Sequence, residues 1–278
     1  MTSKTEFGGH VKYQHELPEK AFYEKAWHLL NKYSGIPEAD IEPHVRAVRD
    51  RAFAVFNYPC LGRWRFLDLY ITTHPQYQEL LDRTKAGATL LDAGCCVGQA
   101  LRQLAFDGAP QENLAGTDLR PEFIDLGYEL FRDRDTFKAK FVAGSVLDAE
   151  DEALKGLDGT VDIIHAASFF HLFGWDDQVT VGVRFAKFFK KGITNATVLG
   201  RQVGTDQPLD VEEHLRSGTG RQGRYHHNEA SMQKLWNAIG ERTGTKWKVQ
   251  AELSYETDLL VEGGEVERTL IRYLVRSV

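Results

Sequence analysis

The sequence predicts an α/β fold: a Rossmann-like, mostly parallel sheet of seven strands, preceded by an N-terminal helical extension. From residue 88 onward, short apolar runs alternate with helical patterns, beginning with "TLLDA" at 89–93 and "GQALRQLAFDG" at 98–108. Such alternation places strands side by side in a parallel sheet that helices cover on both faces. No helical pattern separates the last two runs, 246–254 and 268–276. We therefore expect the last strand to be antiparallel, because a parallel pair needs a long crossover.

Each element after residue 88 has its own signal. The five runs that are typical of buried parallel strands lie at 89–93, 113–117, 139–144, 161–167 and 195–204. Gly108 is expected to end the first helix and Pro121 to begin the second, and a third helix follows at about 176–190. Asn228 can cap a fourth helix, whose apolar residues recur at helical spacing.

Residues 1–87 have a different pattern. Helical periodicity dominates at about 18–33, 41–56 and 74–83, and strand signals are few. We expect this segment to form a helical extension, or lid, over the ligand-binding edge of a domain at residues 88–278.

Composition and charge exclude several classes of protein. The 278 residues are 42% hydrophobic and 27% charged, with a formal net charge of −6, as in a soluble globular chain. An acidic balance disfavours nucleic acid as a partner, and no apolar run approaches the ~20 residues that span a bilayer. The N-terminus is polar, so we expect no signal peptide. Three cysteines cannot form a disulfide framework, which favours a reducing, cytoplasmic location.

The stretch "LLDAGCCVGQAL" at 90–101 joins the first strand to the first helix. A dinucleotide fingerprint starting at Gly94 would need glycines at 96 and 99, where Cys96 and Gln99 stand. The pattern is instead an acid followed by two glycines: Asp92, Gly94 and Gly98. An acid at this position repels a pyrophosphate but suits the ammonium group of a methionine moiety. The loop therefore favours S-adenosylmethionine over NAD as the ligand, and a plain strand-to-helix turn is the alternative.

A second acid, Asp118, stands at the end of the second strand, about twenty residues after the loop. A carboxylate at this position can accept hydrogen bonds from both hydroxyls of a ribose. The alternative is that Asp118 only stabilises the N-terminus of the helix that Pro121 begins, since an acid is favoured there by the helix dipole. Together with the glycine loop, the ribose interpretation is the stronger one.

The chain resembles class I S-adenosylmethionine-dependent methyltransferases. More narrowly, it is similar to the fungal methyltransferases of meroterpenoid biosynthesis, which convert a polyketide-derived carboxylic acid to its methyl ester. The adjacent cysteines with the following Gly-Gln are specific to that group. The matching stretches are "YPCLGRWRFLDL" (58–69), "LLDAGCCVGQALRQLAFDGAPQENLAGTDL" (90–119), "FIDLGYELF" (123–131), "FFHLFGWDDQV" (169–179), "LGRQVG" (199–204) and "TGTKWKV" (243–249).

The resemblance implies a class I methyltransferase fold, S-adenosylmethionine as cofactor and a set of cofactor-binding positions. These positions are Asp92, Gly94, Cys96, Asp118, Leu119, Ser145, Val146 and Ala166. Many class I enzymes have an aspartate where Ser145 stands, and it accepts a hydrogen bond from the adenine amino group. Asp148 is the alternative acceptor here. We expect Cys95 and Cys96 to be small buried residues rather than a reactive dithiol, because nothing nearby in the sequence lowers their pKa.

The chemistry of methyl transfer determines whether a base is needed. The methyl group of a sulfonium is already activated, so the protein chiefly aligns the acceptor and excludes water. A carboxylate acceptor is ionised at neutral pH, whereas a phenol needs a base, most often histidine. The candidates near the strand ends are His165, His171 and His227, with a capping or core histidine as the alternative for each. No metal site is expected, because His226 and His227 are adjacent rather than at a ligand spacing.

The candidate substrate-binding residues are either aromatic or able to hold a carboxylate. They are Arg63, Arg65, Phe169, Phe170, Trp175, Arg201 and Gln202. The aromatic residues follow the fourth strand and could line an apolar pocket or pack in the core. Arg63 and Arg65 could equally be solvated.

We expect a cytoplasmic homodimer that methylates a carboxyl group of a small fungal metabolite, with neither nucleic acid nor membrane as a partner. The alternatives are methylation of a phenol and use of the same fold for isomerisation or cyclisation. A protein that only senses S-adenosylmethionine is a third alternative.

Overall fold

The central feature of the molecule is a seven-stranded sheet. A computed structural model describes residues 13–209, 223–260 and 264–278. The strands are β1 (Leu90–Ala93), β2 (Leu114–Asp118), β3 (Lys140–Ala143), β4 (Ile163–His165), β5 (Thr197–Val203), β6 (Trp247–Leu260) and β7 (Gly264–Ser277). Their spatial order is β3-β2-β1-β4-β5-β7-β6, with β1 to β5 parallel. Strand β7 is antiparallel to both β5 and β6, which confirms the predicted fold class.

Helices cover both faces of the sheet and form the N-terminal segment. They are α1 (Lys20–Lys32), α2 (Glu38–Val55), α3 (Pro59–Gly62), α4 (Tyr77–Lys85), α5 (Gln99–Phe106), α6 (Pro121–Phe131), α7 (Glu152–Lys155), α8 (Trp175–Phe188) and α9 (Glu229–Thr243). Pro121 begins α6 and Asn228 caps α9 with a reciprocal capping box, both as predicted. Helices α3 and α7 were not predicted, because a four-residue helix is too short to have a hydrophobic period.

Strands β6 and β7 extend beyond their predicted bounds of 246–254 and 268–276. They pair continuously from Trp247 opposite Ser277 to Leu260 opposite Gly264. The additional residues of β6 begin with Tyr255, whose exposed fraction is 67%. A strand that is exposed to solvent lacks the apolar alternation on which a sequence prediction relies, and backbone pairing with the neighbouring strand extends it here.

A buried arginine holds the N-terminal segment together. The Arg49 side chain on α2 is 1% exposed, and its guanidinium lies 3.6 Å from the Trp64 ring centroid. Its hydrogen-bond acceptors are the carbonyl oxygens of Gln14, Leu61 and Gly62, at 2.7–2.8 Å. A buried guanidinium needs such partners, since burying an unpaired charge is costly. Arg49 thereby fixes the segment around α3, which reaches the edge of the sheet where the glycine loop lies.

Candidate active site

The loop after β1 has the conformation that a glycine-rich ligand loop requires. Gly94, Cys96 and Gly98 have φ values of 71°, 51° and 66°, all in the left-handed region. The backbone N–H groups of Gly94 and Cys95 both donate to the carbonyl oxygen of Thr117, at 2.8 and 3.0 Å. A residue other than glycine rarely has a positive φ. Cys96 therefore keeps the loop shape that a glycine at this position would allow.

Asp118 joins the end of β2 to this loop. Its Oδ2 accepts a hydrogen bond from the backbone N–H of Cys96 at 2.9 Å, and its Oδ1 accepts one from the N–H of Arg120 at 3.0 Å. Burial raises the pKa of Asp118, while these two hydrogen bonds oppose that shift. The carboxylate is therefore held in place between the glycine loop and the start of α6.

Two exposed leucines lie in the loops that follow β2 and β3. Leu119 follows Asp118 directly, with an exposed fraction of 59%, and Leu147 in the loop after β3 is 39% exposed. In the loop after β3, Val146 is buried. The backbone N–H of Ser145 donates a hydrogen bond to Oδ2 of Asp151 at 2.8 Å. Leu147 was not among the predicted residues. Its signal was only its place after the third strand, two residues beyond Ser145.

Asp92 forms a buried pair with His165, one of the three candidate bases. Its Oδ1 lies 2.7 Å from Nδ1 of His165, the residue beside it in register on β4. Nε2 of His165 is buried without a hydrogen-bond partner in the described part of the chain. His74, from the N-terminal segment, interacts electrostatically with His165, and its pKa falls to about 4, chiefly through burial. The sequence showed both Asp92 and His165, but not that they are paired.

The three aromatic residues predicted for the substrate pocket separate in the structure. The Phe169 ring lies against Gly94, because a Cβ atom added to that glycine would be 2.5 Å from Cδ2 of Phe169. Phe170 is fully buried, with its ring 6.1 Å from that of Trp236. Trp175 is 8% exposed and packs on Tyr225. Phe169 thus borders the glycine loop, whereas Phe170 and Trp175 are core residues and we no longer assign them to substrate binding.

His227 is also a core residue. It is fully buried, with Nδ1 3.0 Å from Oγ of Ser231 and Nε2 2.7 Å from Oε1 of Gln178. Burial lowers its pKa to about 3. Both ring nitrogens are occupied by hydrogen bonds that hold α9 against α8. Neither can take a proton from a substrate, so we do not assign His227 a catalytic role.

His171 lies at the carboxyl edge of the sheet, beside His226, with the two ring centroids 6.4 Å apart. Burial lowers the pKa of His171 to about 3, and His226, Arg224 and Arg268 act in the same direction. Efficient base catalysis requires a pKa near the working pH. The His171 imidazole is therefore neutral at the working pH and too weak a base to deprotonate a phenol.

Two predicted substrate-binding residues, Arg201 and Gln202, lie on β5 and have different surroundings. Arg201 forms ion pairs with Asp68 and with Glu256, the latter at 3.1 Å, and its guanidinium stacks 4.1 Å from the Tyr70 ring centroid. Its charge is thus already balanced by two carboxylates. Gln202 is 1% exposed, and neither amide atom has a partner within the described residues. Arg201 is therefore not a ready site for a substrate carboxylate, whereas the buried amide of Gln202 still lacks a partner among the described residues.

The N-terminal segment reaches this edge through Tyr58, the residue before α3. Burial raises the pKa of Tyr58 to about 12, with Asp118 acting in the same direction and Arg120 in the opposite one. The Tyr58 phenol also interacts electrostatically with Arg224. Tyr58 and Arg224 were not predicted site residues, although Tyr58 begins the first of the matching stretches. Arg63 and Arg65 follow α3, and both are partly buried.

The described ranges have neither a candidate metal cluster nor a helix that could span a membrane. Within 13–209, 223–260 and 264–278, no group of three or more histidine, cysteine, aspartate or glutamate residues could hold a metal ion. Over the same ranges, no helix has the length and apolar character that crossing a bilayer requires.

Comparison with known proteins identifies the family. Residues 12–67 match the meroterpenoid methyltransferase N-terminal domain, and residues 91–192 match a methyltransferase domain. The chain is 42% identical over 223 residues to the O-methyltransferase phiE of Fungal sp. (strain ATCC 74256), covering 80% of this chain and 72% of that protein. This chain belongs to the fungal meroterpenoid methyltransferases. The resemblance noted from the sequence is thereby confirmed, and the enzyme is an S-adenosylmethionine-dependent methyltransferase.

A second relative and a solved structure agree with this assignment. The methyltransferase is 39% identical over 227 residues to the asnovolin E/chermesin D methyltransferase nvfJ of Aspergillus novofumigatus, covering 82% of this chain and 80% of that protein. Among solved structures, the methyltransferase domain of bacterial CtHen1 superposes with a TM-score of 0.50 at 12% identity. That match covers 76% of this chain and all of the other. At such low identity the structural match supports the fold alone.

The cysteines of this methyltransferase are expected to react slowly with alkylating reagents. Burial raises the pKa of Cys60 to about 11 and that of Cys95 and Cys96 well above the usual value. Since the thiolate is the reactive form, iodoacetamide at pH 7.5 should modify the native protein slowly, and faster as the pH rises. Intact-protein mass spectrometry over time measures this rate, with the guanidinium-unfolded protein as the control. Rapid modification of the native enzyme at pH 7.5 would contradict the burial of these thiols.

Proposed function

We propose that this methyltransferase forms a methyl ester on a carboxylic acid of a fungal polyketide–terpenoid intermediate, with S-adenosylmethionine as the methyl donor. One observation carries the choice of a carboxyl group. His171 comes two residues after Phe169, which lies against Gly94, and its pKa is only about 3 because of burial and the nearby His226, Arg224 and Arg268. This setting favours an acceptor that is already an anion over one that must first lose a proton to a base.

The residues at the carboxyl edge fit the cofactor. Gly94 gives the loop a backbone surface without a side chain, and the fixed Asp118 carboxylate suits a ribose. The exposed Leu119 and Leu147 would pack against an adenine ring, whose burial would remove their exposed area from water. We assign the cofactor's ammonium group to Asp92, whose orientation His165 fixes. Backbone atoms of Cys96, Ser145, Val146 and Ala166 complete the proposed contacts.

The protein's part in the reaction is to bind, orient and exclude water. When bound, the cofactor supplies an electrophilic methyl group. Phe169 packs against Gly94, and Tyr58 of the N-terminal segment interacts electrostatically with Asp118. Positioning of this kind contributes much of the acceleration where the reacting groups are already activated. No proton transfer by a side chain is needed for a carboxylate acceptor.

Product analysis tests the proposal. The relative nvfJ is named for asnovolin E and chermesin D, so these two compounds are the first acceptors to try. With trideuteriomethyl-labelled S-adenosylmethionine, we expect a labelled product whose label is released as methanol by mild alkaline hydrolysis, as an ester requires. A labelled product that resists alkali would be an ether and would overturn carboxyl methylation.

The rate of the chemical step is expected to be independent of pH from about pH 6 upward. A carboxylic acid is fully ionised there, and a histidine with a pKa of about 3 stays neutral throughout this range. Single-turnover rates between about pH 5.5 and 9 measure the profile. A rise through a pKa near that of an ordinary histidine would contradict the carboxylate acceptor and point to a base.

The second candidate is methylation of a phenol, and the Asp92–His165 pair favours it. A histidine held by a carboxylate at Nδ1, with Nε2 lacking a partner among the described residues, is the arrangement that a general base requires. If the pH profile rises as described above and His165→Gln abolishes the rise, this second function replaces the first.

A further inference from the structure

A pocket with a volume of about 520 Å³ opens at the edge of the sheet opposite the glycine loop. It is lined by Ala196, just before β5, by Trp247, the first residue of β6, and by Ser277, the last residue of β7. The parallel strands begin at this edge and end at the carboxyl edge. The seven residues of β5 separate the two edges by roughly 20 Å, at about 3.3 Å per residue. We refer to this feature as the amino-edge pocket, and it is distinct from the candidate active site.

Much of the lining of the amino-edge pocket is apolar. Phe189 and Trp247 are each 7% exposed, and their ring centroids lie 5.8 Å apart. Ala186 at the end of α8, Ile193 and Ala196 add aliphatic surface. Pockets of about 300–1,000 Å³ with a largely apolar lining are typical of sites for small organic molecules. The size and lining therefore suit a compact ligand with a ring system.

Three residues that line the pocket carry a hydrogen-bond donor without an acceptor. Lys187 and Lys191 are exposed, and neither ammonium group has a hydrogen-bond or ion-pair partner among the described residues. The indole Nε1 of Trp247 is buried and has no partner in the same parts of the chain. Ammonium and indole N–H groups donate and cannot accept. The complementary ligand group is therefore one that only accepts, such as a carboxylate or a sulfonate.

The acids near these lysines are already paired with other residues. Within the described ranges, Asp158 is the one acid that lines the pocket, and its Oδ1 accepts from Arg184 at 2.6 Å. The third lysine of the lining, Lys190, forms an ion pair with Asp162. The charges of the other two lysines are not compensated in this way, so they favour an anion.

The end of helix α8 does not oppose an anion here. The carbonyl oxygens of a last helical turn carry partial negative charge when they have no partners. In this helix the carbonyl oxygen of Lys187 accepts from the backbone N–H of Gly159 at 3.0 Å. That of Phe188 accepts from the N–H groups of Thr160 and Val161, at 3.0 and 2.9 Å. These hydrogen bonds satisfy the carbonyl groups nearest to the lysines.

We propose that the amino-edge pocket is a second ligand site, which binds a small organic anion. The apolar ring system of the ligand packs on Phe189 and Trp247, and Lys187 and Lys191 hold its acidic group. Burial of the ring system supplies most of the affinity, because ion pairs with exposed lysines contribute little each. This site is separate from the methyl-transfer site and does not depend on the proposed carboxyl methylation.

Photochemical cross-linking tests the proposal, with 4-benzoylbenzoate as the probe and 4-benzoylbenzamide as its uncharged match. The full chain is irradiated with each compound, and peptide mass spectrometry locates the points of attachment. We expect saturable attachment of the anion within residues 186–196 or 245–247. Its half-saturating concentration should be about fivefold lower than that of the amide, and salt at about 0.5 M should weaken the anion alone.

Three variants examine the charge and the space separately. Lys187→Gln combined with Lys191→Gln should raise the half-saturating concentration of the anion about fivefold and leave that of the amide unchanged. Ala186→Trp should fill the pocket and abolish attachment of both compounds there. The matched control combines Lys138→Gln with Lys234→Gln, which removes the same charge from exposed lysines outside the lining and should behave as wild type. Thermal unfolding shows that each variant is folded.

Three results would each overturn the inference: attachment confined to the carboxyl edge, equal half-saturation by the two compounds, or unchanged binding of the anion in the double lysine variant. Competition by dodecanoate that is as strong as competition by 1-naphthoate would contradict a ligand with a ring system. These outcomes leave the alkaline hydrolysis of the methylated product unaffected, so failure here is distinguishable from failure of the proposed function.

Discussion

Replacing Asp118 by alanine is expected to weaken the binding of S-adenosylmethionine by about 10²–10⁴-fold. The proposed role gives this carboxylate two charge-assisted hydrogen bonds to the ribose hydroxyls, each worth roughly 1.5–3 kcal/mol, and a tenfold change corresponds to about 1.4 kcal/mol. The variant also loses the two hydrogen bonds that tie Asp118 to Cys96 and Arg120. Titration calorimetry measures the affinity, and thermal unfolding shows whether the variant is still folded.

Asp125→Ala is the matched control for this experiment. Asp125 lies on α6, seven positions further along the chain, and its side chain is 61% exposed in an ion pair with Arg134. Its removal should leave the affinity for the cofactor unchanged. A folded Asp118→Ala protein that binds S-adenosylmethionine as tightly as the wild type would exclude Asp118 from the site.

Replacing Gly94 by alanine is expected to reduce the affinity for S-adenosylmethionine more than tenfold. The φ of 71° is unfavourable for any residue with a Cβ atom, at a cost of roughly 1–2 kcal/mol. The added methyl would also lie 2.5 Å from Cδ2 of Phe169, so the ring or the loop against which we place the cofactor would have to move. The cofactor affinity of the purified variant tests this expectation.

Gly159→Ala separates backbone strain from the loss of space. Gly159 has a similar φ of 68°, and a Cβ atom added there would meet nothing within 4 Å. This control should lower the unfolding temperature without affecting cofactor affinity. Adding Phe169→Ala to Gly94→Ala should recover part of the affinity if the contact with Phe169 contributes. Wild-type affinity in Gly94→Ala alone would show that the loop surface is not part of the cofactor site.

Much of the fold could be predicted because its signals are local. Runs of buried residues such as 89–93 and 113–117 lie within one residue of β1 and β2. Pro121 and Asn228 act at the first turns of their own helices, where the backbone N–H groups lack partners. The antiparallel last strand follows from the length of a connection alone. None of these predictions requires knowledge of distant residues.

The candidate site was only partly predictable, because side-chain partners come from distant parts of the chain. His227 suggested a base, yet Gln178, 49 residues earlier, occupies one of its ring nitrogens. Arg201 suggested a carboxylate-binding group, but Asp68, 133 residues earlier, already pairs with it. Neither contact leaves a trace in local sequence patterns. A histidine or arginine has the same sequence signal whether its hydrogen bonds are satisfied or open.

The sequence by itself determined the sheet, the glycine loop and the two acids, Asp92 and Asp118, because strand, turn and helix preferences act over a few residues. The tertiary structure decided which side chains remain available. In the folded protein Phe170 packs in the core, whereas the ring of Phe169 lies against Gly94. The two rings differ because adjacent residues in the turn after β4 point in different directions. Hydrogen bonding and charge compensation depend on distances between elements, and those distances exist only once the chain has folded.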